Sequence, residues 1–233
     1  MWRLALLVAL FTLLPHAKSL AQVALSAALD SDYRVRGLSY SDERPTLSLS
    51  LAYDQSSGIY GGVSAIGVDT RHAGLEGLGY IVYAGYAHRL GPDRAWDLGL
   101  SNSSISVYLD RRYTANYTEL YAGMSVKSVT VHLYYSPRYI GEAAPTLYLD
   151  AAASYHPARR WRVYGHAGVL TPLTAGGSHA TGRTRADFSL GVAREFRPFE
   201  IHVQWSTTAP RAVYPEYHHQ DANAVSAGVV AYF

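Results

Sequence analysis

The stretch Pro45-Thr-Leu-Ser-Leu-Ser-Leu-Ala-Tyr-Asp54 decides the fold class of this chain. Leucine or tyrosine stands at every odd position from 47 to 53, and threonine, serine or alanine stands at every even position from 46 to 52. A period of two puts all the large apolar side chains on one face of an extended strand, whereas a helix would scatter them. The pattern therefore predicts a β-strand with one apolar and one small, polar face.

The same alternation recurs along the rest of the chain. It predicts twelve strands, over 23–36, 45–54, 59–68, 78–89, 96–108, 116–126, 129–136, 146–156, 161–170, 185–196, 199–207 and 223–233. In the fifth strand the apolar phase shifts after Asn102-Ser-Ser104. We expect a β-bulge at that point, because one inserted residue exchanges the two faces of a strand.

The predicted connections alternate in length. Short turns such as Gln55–Gly58 and Lys127-Ser128 are followed by longer connections such as 69–77 and 137–145. Outer-membrane barrels have short periplasmic turns and longer outer loops, and an even strand count leaves both termini on the periplasmic side. We therefore predict an all-β fold, a transmembrane antiparallel up-and-down β-barrel of about 12 strands.

Aromatic residues lie on the apolar phase near the short-turn ends of the strands. This predicted membrane-interface girdle consists of Tyr53, Tyr86, Trp96, Tyr155, Trp161, Phe199 and Phe233. A second girdle at the opposite end is predicted from Tyr33, Tyr80, Tyr135 and Trp205. Such rings favour membrane interfaces because their bodies are apolar and their edges polar. The alternative is a soluble barrel with the same rings in its core, whose outer face would have to be strongly charged.

Composition excludes several classes of function. Only 16% of residues are charged, against about 25% in an average soluble domain. The chain has no cysteine, which excludes disulfides, thiolate nucleophiles and cysteine-based metal sites. A formal charge of +2 is too small to indicate nucleic-acid binding, so no nucleic-acid partner is expected.

The N-terminus has the pattern of an export signal. A short positive start at Met1-Trp-Arg3 precedes the apolar run Leu4–Leu14, and Ser19-Leu-Ala21 has small residues at the two positions that a signal peptidase reads. We predict a cleaved signal peptide over 1–21 and a single outer-membrane β-barrel domain over 22–233. An uncleaved anchor is the alternative, although the apolar run is shorter than a spanning helix needs.

Four segments resemble the TorF family of outer-membrane porins. They are Ser31-Asp-Tyr-Arg-Val-Arg-Gly-Leu-Ser39, Gly58-Ile-Tyr-Gly-Gly-Val-Ser64, Asn116-Tyr-Thr-Glu-Leu-Tyr-Ala-Gly123 and His132-Leu-Tyr-Tyr-Ser-Pro-Arg-Tyr139. The resemblance implies an outer-membrane barrel with a channel, and it supplies neither a substrate nor catalytic residues. The apolar last strand ending at Phe233 resembles the signal that barrel-assembly machinery reads, which implies the outer membrane of a Gram-negative bacterium.

The inward phase carries polar and charged residues that we predict to line a pore. They are Asp30, Asp32, Arg34, Arg36, Glu119, Tyr121, His132, Asp150, Tyr164, His166, Asp187, Glu200, His202 and Gln204. Asp32, Arg34 and Arg36 are expected toward the outer mouth. Twelve strands lie between the filled eight-stranded and the open sixteen-stranded barrel, so residue size decides whether the lumen is open. The alternative is a plug of mutually paired charges.

No catalytic constellation is predicted. The outward phase has no Ser-His pair that would reach a lipid substrate, and no nucleophile-elbow motif occurs. His218-His219 with Glu216 and Asp221 is a possible metal cluster, but adjacent loop histidines are more often solvated, so no metal and no cofactor is predicted. The expected partners are outer-membrane lipid, lipopolysaccharide and the barrel-assembly machinery.

Three functions are compatible with the sequence. The favoured one is a narrow, water-filled porin for passive diffusion of small hydrophilic solutes or ions. The second is a closed structural or adhesive barrel that acts through its outer loops. The third is a lipid-modifying outer-membrane enzyme. Conductance of the refolded protein separates the first from the other two.

Overall fold

The computed structural model describes residues 21–70, 74–106, 108, 114–140, 145–174, 184–209 and 222–233. Its strands are β1 (Ala21–Asp30), β2 (Arg34–Val35), β3 (Leu38–Ser39), β4 (Thr46–Gln55), β5 (Ile59–Thr70), β6 (Gly74–Gly91), β7 (Arg94–Ser106), β8 (Thr114–Val126), β9 (Val129–Ser136), β10 (Thr146–Ala158), β11 (Trp161–Pro172), β12 (Arg185–Glu195), β13 (Phe199–Ala209) and β14 (Asn223–Tyr232). Residues 1–20 of the predicted signal peptide and the loop residues Glu216, His218, His219 and Asp221 lie outside the described residues.

Twelve of the described strands close into one antiparallel barrel, as predicted. From β4 to β14 each strand pairs with its neighbour in sequence, and β1 closes the sheet by pairing with both β4 and β14. The closing pairs include Leu29 opposite Val229 and Leu25 opposite Leu51. Closure pairs every strand on both sides, so the barrel has no free sheet edge.

The exterior of the barrel is apolar, and this follows directly from the alternation. Leu49, Leu120 and Leu190 expose 51%, 56% and 57% of their surface, while the polar residues between such positions face the lumen. So continuous an apolar surface would be unfavourable in water. It is typical of barrels whose exterior contacts lipid. No helix in the described ranges is long and apolar enough to cross a bilayer.

The first predicted strand, 23–36, is wrong at its end. β1 stops at Asp30, and the chain then turns into the barrel, where β2 and β3 pair as a two-stranded sheet of their own. We call residues 31–44 the inner hairpin. The predicted outer-girdle residue Tyr33 lies on this hairpin and packs against the interior apolar cluster, so it is not on the exterior. Asp32, Arg34 and Arg36 likewise lie on the hairpin and not on the barrel wall.

The predicted bulge at 102–104 is also absent. β7 keeps an unbroken register with β8 from Arg94 to Ser106, so Ile105 simply faces the interior, where it is fully buried. The apolar phase shifts in the sequence because the barrel interior at this level is itself apolar, so an inward position there carries an apolar residue. A register shift occurs instead between β5 and β6, at Ile66/Gly67.

One predicted long connection is mostly strand. β5 continues to Thr70 and β6 begins at Gly74, so the paired hairpin extends through most of residues 69–77. The short turns are found where they were predicted, for example at Lys127-Ser128 between β8 and β9. We therefore use "short-turn end" for the end of the barrel that carries these turns.

Candidate channel lumen

The inner hairpin is stabilised around the carboxylate of Asp32. Ser39 Oγ and Ser41 Oγ donate to Asp32 Oδ1 at 2.5 and 2.9 Å, and Arg34 Nη1 donates to Asp32 Oδ2 at 2.9 Å. Arg34 Nη2 also donates to the carbonyl oxygen of Gly37 at 2.7 Å. A carboxylate that accepts several charge-assisted or hydroxyl hydrogen bonds cross-links the residues of a short hairpin. Asp32 and Arg34 therefore hold the hairpin together.

The hairpin tip reaches two sides of the barrel wall. Arg36 and Gly37 both have positive φ angles, 50° and 75°, as a two-residue type I′ hairpin turn requires. A Cβ on Gly37 would lie 2.8 Å from Thr208 Cβ and 2.9 Å from the Thr207 carbonyl oxygen on β13. Glycine is needed here both for its backbone conformation and for this close approach.

On the other side, Arg36 is anchored to β8 and β10. Its Nη2 donates to both oxygens of Glu119, at 2.8 and 2.9 Å, and its guanidinium carbon lies 3.8 Å from the ring centroid of Tyr148. Burial alone would lower the pKa of Arg36, but its tyrosine neighbours and Glu119 raise that pKa well above the usual value, so the group is charged. The hairpin thus spans the lumen between β8, β10 and β13.

Beneath these polar contacts the hairpin has an apolar core. Leu38 and Tyr40 are almost completely buried, in one cluster with wall residues such as Ile66, Ile105 and Leu170. Burying a leucine-sized side chain contributes about 1.5–3 kcal/mol. The hairpin is therefore packed as part of the fold at this level of the barrel.

Further along the lumen, a carboxylate and a histidine meet across a glycine. Asp97 on β7 pairs in register with Gly123 on β8, which pairs in turn with His132 on β9. A Cβ on Gly123 would overlap both side chains, so the glycine lets them meet, with His132 Nε2 3.3 Å from Asp97 Oδ1. This arrangement needs three strands in exact register.

The same arrangement recurs on the far side of the barrel. Asp30 on β1 and His202 on β13 both pair with Gly228 on β14, and His202 Nε2 lies 3.1 Å from Asp30 Oδ1. The two clusters are matched in chemistry and geometry. They differ in their surroundings, since Asp97 also accepts a hydrogen bond from Tyr60 and the ring centroid of Tyr121 lies 5.8 Å from that of His132.

A third histidine belongs to a larger polar cluster near the hairpin. His166 Nε2 lies 2.5 Å from Asp150 Oδ1, and His166 Nδ1 lies 3.4 Å from Asp187 Oδ1. Tyr148 Oη lies 3.0 Å from His166 Nε2 and donates to Asp187 Oδ1 at 3.1 Å. In this cluster Asp150 and Asp187 flank Gly168 in register. The described residues contain no group of three or more His, Asp or Glu side chains arranged to hold a metal ion.

Inward tyrosines lie over inward glycines of the neighbouring strand. The pairs are Tyr83 over Gly62, Tyr60 over Gly85, Tyr121 over Gly99, Tyr148 over Gly168 and Tyr164 over Gly191. In each pair the ring tip occupies the space that a Cβ on the glycine would need. The rings therefore lie against the wall, which leaves room in the lumen despite their size.

Replacing one of these glycines should destabilise the barrel. In Gly99→Ala the new Cβ would overlap the Tyr121 ring and lie 2.8 Å from the Ala84 carbonyl oxygen, so the ring must move into the lumen. We expect a loss of about 1–3 kcal/mol of stability, the usual cost of overpacking. Urea unfolding monitored by gel mobility measures this loss.

Gly165→Ala is the control for this change. A Cβ at Gly165 would meet its nearest neighbours, Ser189 O and Leu190 Cδ1, at the ordinary distances of 3.4 and 3.7 Å. We expect a change within about 0.5 kcal/mol, as for most substitutions that create no clash. Equal effects of the two substitutions would show that the ring does not depend on the glycine.

Two cavities lie between the described residues of the lumen. One of about 390 Å³ adjoins the hairpin tip and is lined by residues that include Arg36, Glu119, His166 and Gln204. The other, of about 500 Å³, lies nearer the short-turn end, among residues that include Tyr121 and His132. Since a water molecule in the liquid takes about 30 Å³, each cavity has room for several.

The remaining predicted lining residues lie on the inward face as well. Arg162 Nη2 donates to Glu200 Oε1 at 2.5 Å, and its guanidinium carbon lies 4.6 Å from the centroid of the Tyr164 ring. Sequence reasoning missed Arg162, Tyr60, Asp97 and Tyr148 as lumen residues. The alternation contained the signal for them, since Asp97 stands between Trp96 and Leu98, and Tyr148 between two leucines.

The predicted girdle residues have exposed side chains, apart from Trp96 and the hairpin residue Tyr33. The exposed ones are Tyr53, Tyr86, Tyr155, Trp161, Phe199 and Phe233 at the short-turn end, and Tyr80, Tyr135 and Trp205 toward the other end. Trp96 is half-buried, with its ring centroid 5.8 Å from that of Tyr86. Contact of these rings with a membrane interface stays a prediction.

Comparisons with known proteins agree with the fold. A family model described as "Bacterial protein of unknown function (Gcw_chp)" matches residues 15–231. No curated protein matches in sequence. A NanC porin superposes with a TM-score of 0.60 at 10% identity, over 90% of this chain and 99% of the porin. A KdgM porin solved in complex with disordered oligogalacturonate gives a TM-score of 0.55 at 13% identity, with the same coverage. These comparisons do not confirm the narrower TorF name.

Proposed function

Because the chain belongs to the Gcw_chp family of bacterial proteins of unknown function, we propose its function from its lumen: a narrow outer-membrane channel for passive diffusion of small hydrophilic solutes or ions. The porin-like barrel supports this proposal at the level of fold. The observation that carries it is the polar lumen with its cavities of about 390 and 500 Å³. An interior meant only for stability would be filled by side chains, as in the smallest barrels.

The proposal includes the cellular setting. Residues 1–21 act as a cleaved signal peptide, and residues 22–233 form the barrel in the outer membrane of a Gram-negative bacterium. Outer-membrane lipid and lipopolysaccharide surround the apolar exterior, on which Leu49 and Leu120 are exposed. The barrel-assembly machinery recognises the last strand. The chain is not an enzyme in this proposal.

The inner hairpin narrows the path. Its tip contacts β13 through Gly37 and β8 through Arg36, so solutes have to pass beside it. Charged groups of both signs line the passage, and most are paired, as in the Arg36–Glu119 and Arg162–Glu200 bridges. Paired charges create only a weak net field, so the channel is expected to discriminate weakly between cations and anions.

The hairpin also supports a second candidate function. Leu38 and Tyr40 pack it firmly inside the barrel, which would suit a permanently closed barrel that acts through its outer loops. The two candidates differ in a single measurable property. A channel conducts ions at rest, whereas a plugged barrel does not.

Planar-bilayer recordings of the refolded protein test the proposal. We expect discrete single-channel steps that are small compared with those of sixteen-stranded porins, because fewer strands and the hairpin both narrow the path. The folded state is verified first by the gel-mobility shift between unheated and boiled samples. Protein boiled before reconstitution is the control and should not conduct. If repeated folded preparations show no steps, the closed-barrel function replaces the channel.

A further inference from the structure

The cavity near the short-turn end has the features of a binding site of its own. Its volume is about 500 Å³, and the rings of Tyr60, Tyr83, Tyr121 and Tyr134 are among its lining. The ring centroids of Tyr60 and Tyr83 are 6.2 Å apart, and those of Tyr121 and Tyr134 are 5.4 Å apart. Several π faces therefore border a single space large enough for a small molecule.

One carboxylate lies among these rings. Tyr60 Oη donates to Asp97 Oδ2 at 2.8 Å and lies 2.8 Å from Tyr121 Oη, so Asp97 is linked to two of the tyrosines, to Tyr60 directly and to Tyr121 through Tyr60. His132 approaches Asp97 from the glycine-bridged pair, and no lysine or arginine is among the described residues that line the cavity. The guanidinium carbon of Arg36 lies 5.9 Å from the ring centroid of Tyr134, which lines both cavities.

This combination selects for one class of ligand. Aromatic faces attract cations through the ring quadrupole, and grouped aromatic residues recognise quaternary ammonium groups in this way. A metal ion would instead require several oxygen ligands, and an anion would require basic donors. We propose that the tyrosines and Asp97 form a binding site for small organic cations, such as quaternary ammonium compounds. This proposal rests on the proposed channel, through which the ligand would reach the cavity.

Titration calorimetry with choline tests the site on refolded protein in a maltoside detergent, which lacks an ammonium headgroup. The neutral isostere 3,3-dimethylbutanol has the same shape without the charge. We expect saturable binding of choline and at least tenfold weaker binding of the isostere. Equal binding of the two compounds, or no saturable binding of choline by folded protein, would overturn the proposal.

A matched pair of variants separates this site from the general charge of the lumen. Asp97→Asn should weaken choline binding at least fivefold. Asp30→Asn removes the same charge from the matching glycine-bridged pair with His202, outside this cavity, and should change binding less than twofold. If both variants weaken binding equally, the effect is lumen electrostatics and not a site.

Tyr83 tests the role of the rings. Tyr83→Phe keeps the π face and should keep choline binding, whereas Tyr83→Leu should weaken it at least fivefold. If Tyr83→Leu fails to fold, the two aspartate variants decide. Because binding is measured in detergent, a protein that binds choline without conducting ions refutes the channel and leaves the site standing. A protein that conducts ions without binding choline refutes the site alone.

Discussion

Leu49→Arg is expected to prevent most of the protein from folding into the membrane of lipid vesicles. Leu49 lies near the middle of β4 with 51% of its surface exposed, between Ala27 of β1 and Ala65 of β5. An arginine facing lipid at the midplane of a barrel costs about 2–4 kcal/mol. The folded fraction, read from the gel-mobility shift after refolding into vesicles, measures this effect.

Ser50→Arg is the control at the adjacent position. Ser50 faces the lumen, where its Oγ lies 2.8 Å from Ser64 Oγ, and an arginine there can extend into a hydrated space. We expect this variant to assemble nearly as well as wild type. Equal loss of assembly in both variants would mean that β4 does not separate lipid from lumen.

Glu119→Leu is expected to release the inner hairpin. The bridge to Arg36 is nearly buried, with 10% and 6% of the two side chains exposed. Removing one partner of a buried pair typically costs about 3–5 kcal/mol, because the other charge stays buried without compensation. We expect trypsin to cleave after Arg34 at least ten times faster than in wild type, and the channel to conduct more.

The double variant Arg36→Met/Glu119→Leu distinguishes charge from packing. Replacing both partners of a buried bridge by apolar residues is often neutral or stabilising. We therefore expect its cleavage rate to return to near the wild-type value. A single variant that is cleaved no faster than wild type would show that the apolar contacts of Leu38 and Tyr40 hold the hairpin alone.

The sequence was sufficient to predict the barrel because the alternation of apolar and polar residues along a strand is a local property. A strand such as 45–54 shows its apolar and polar faces within ten residues, and a face of exposed leucines such as Leu49 is determined before any partner strand is known. The same local signal was misleading at Ile105. An apolar residue on the inward phase indicated a bulge, because nothing in the neighbouring sequence reveals that the interior is apolar at that level.

The candidate site could be predicted as a set of inward residues but not as a set of contacts. Asp97, Gly123 and His132 are inward on three separate strands, and only the register of β7, β8 and β9 places them side by side. The tyrosine–glycine pairs depend on register in the same way. A shift of a strand by two residues would keep every side chain on its face and yet separate all these pairs.

The sequence by itself determined the number of barrel strands, the division into an apolar exterior and a largely polar interior, and the strand face on which each wall residue lies. Only the tertiary structure decided that residues 31–44 fold into the barrel. The alternation of β1 continues past Asp30, so the local pattern favours a longer strand. The inward turn is stabilised instead by a partner far away in sequence, Glu119 for Arg36, and it fits only because Gly37 leaves room for the close approach of β13. These elements come together only when the barrel closes.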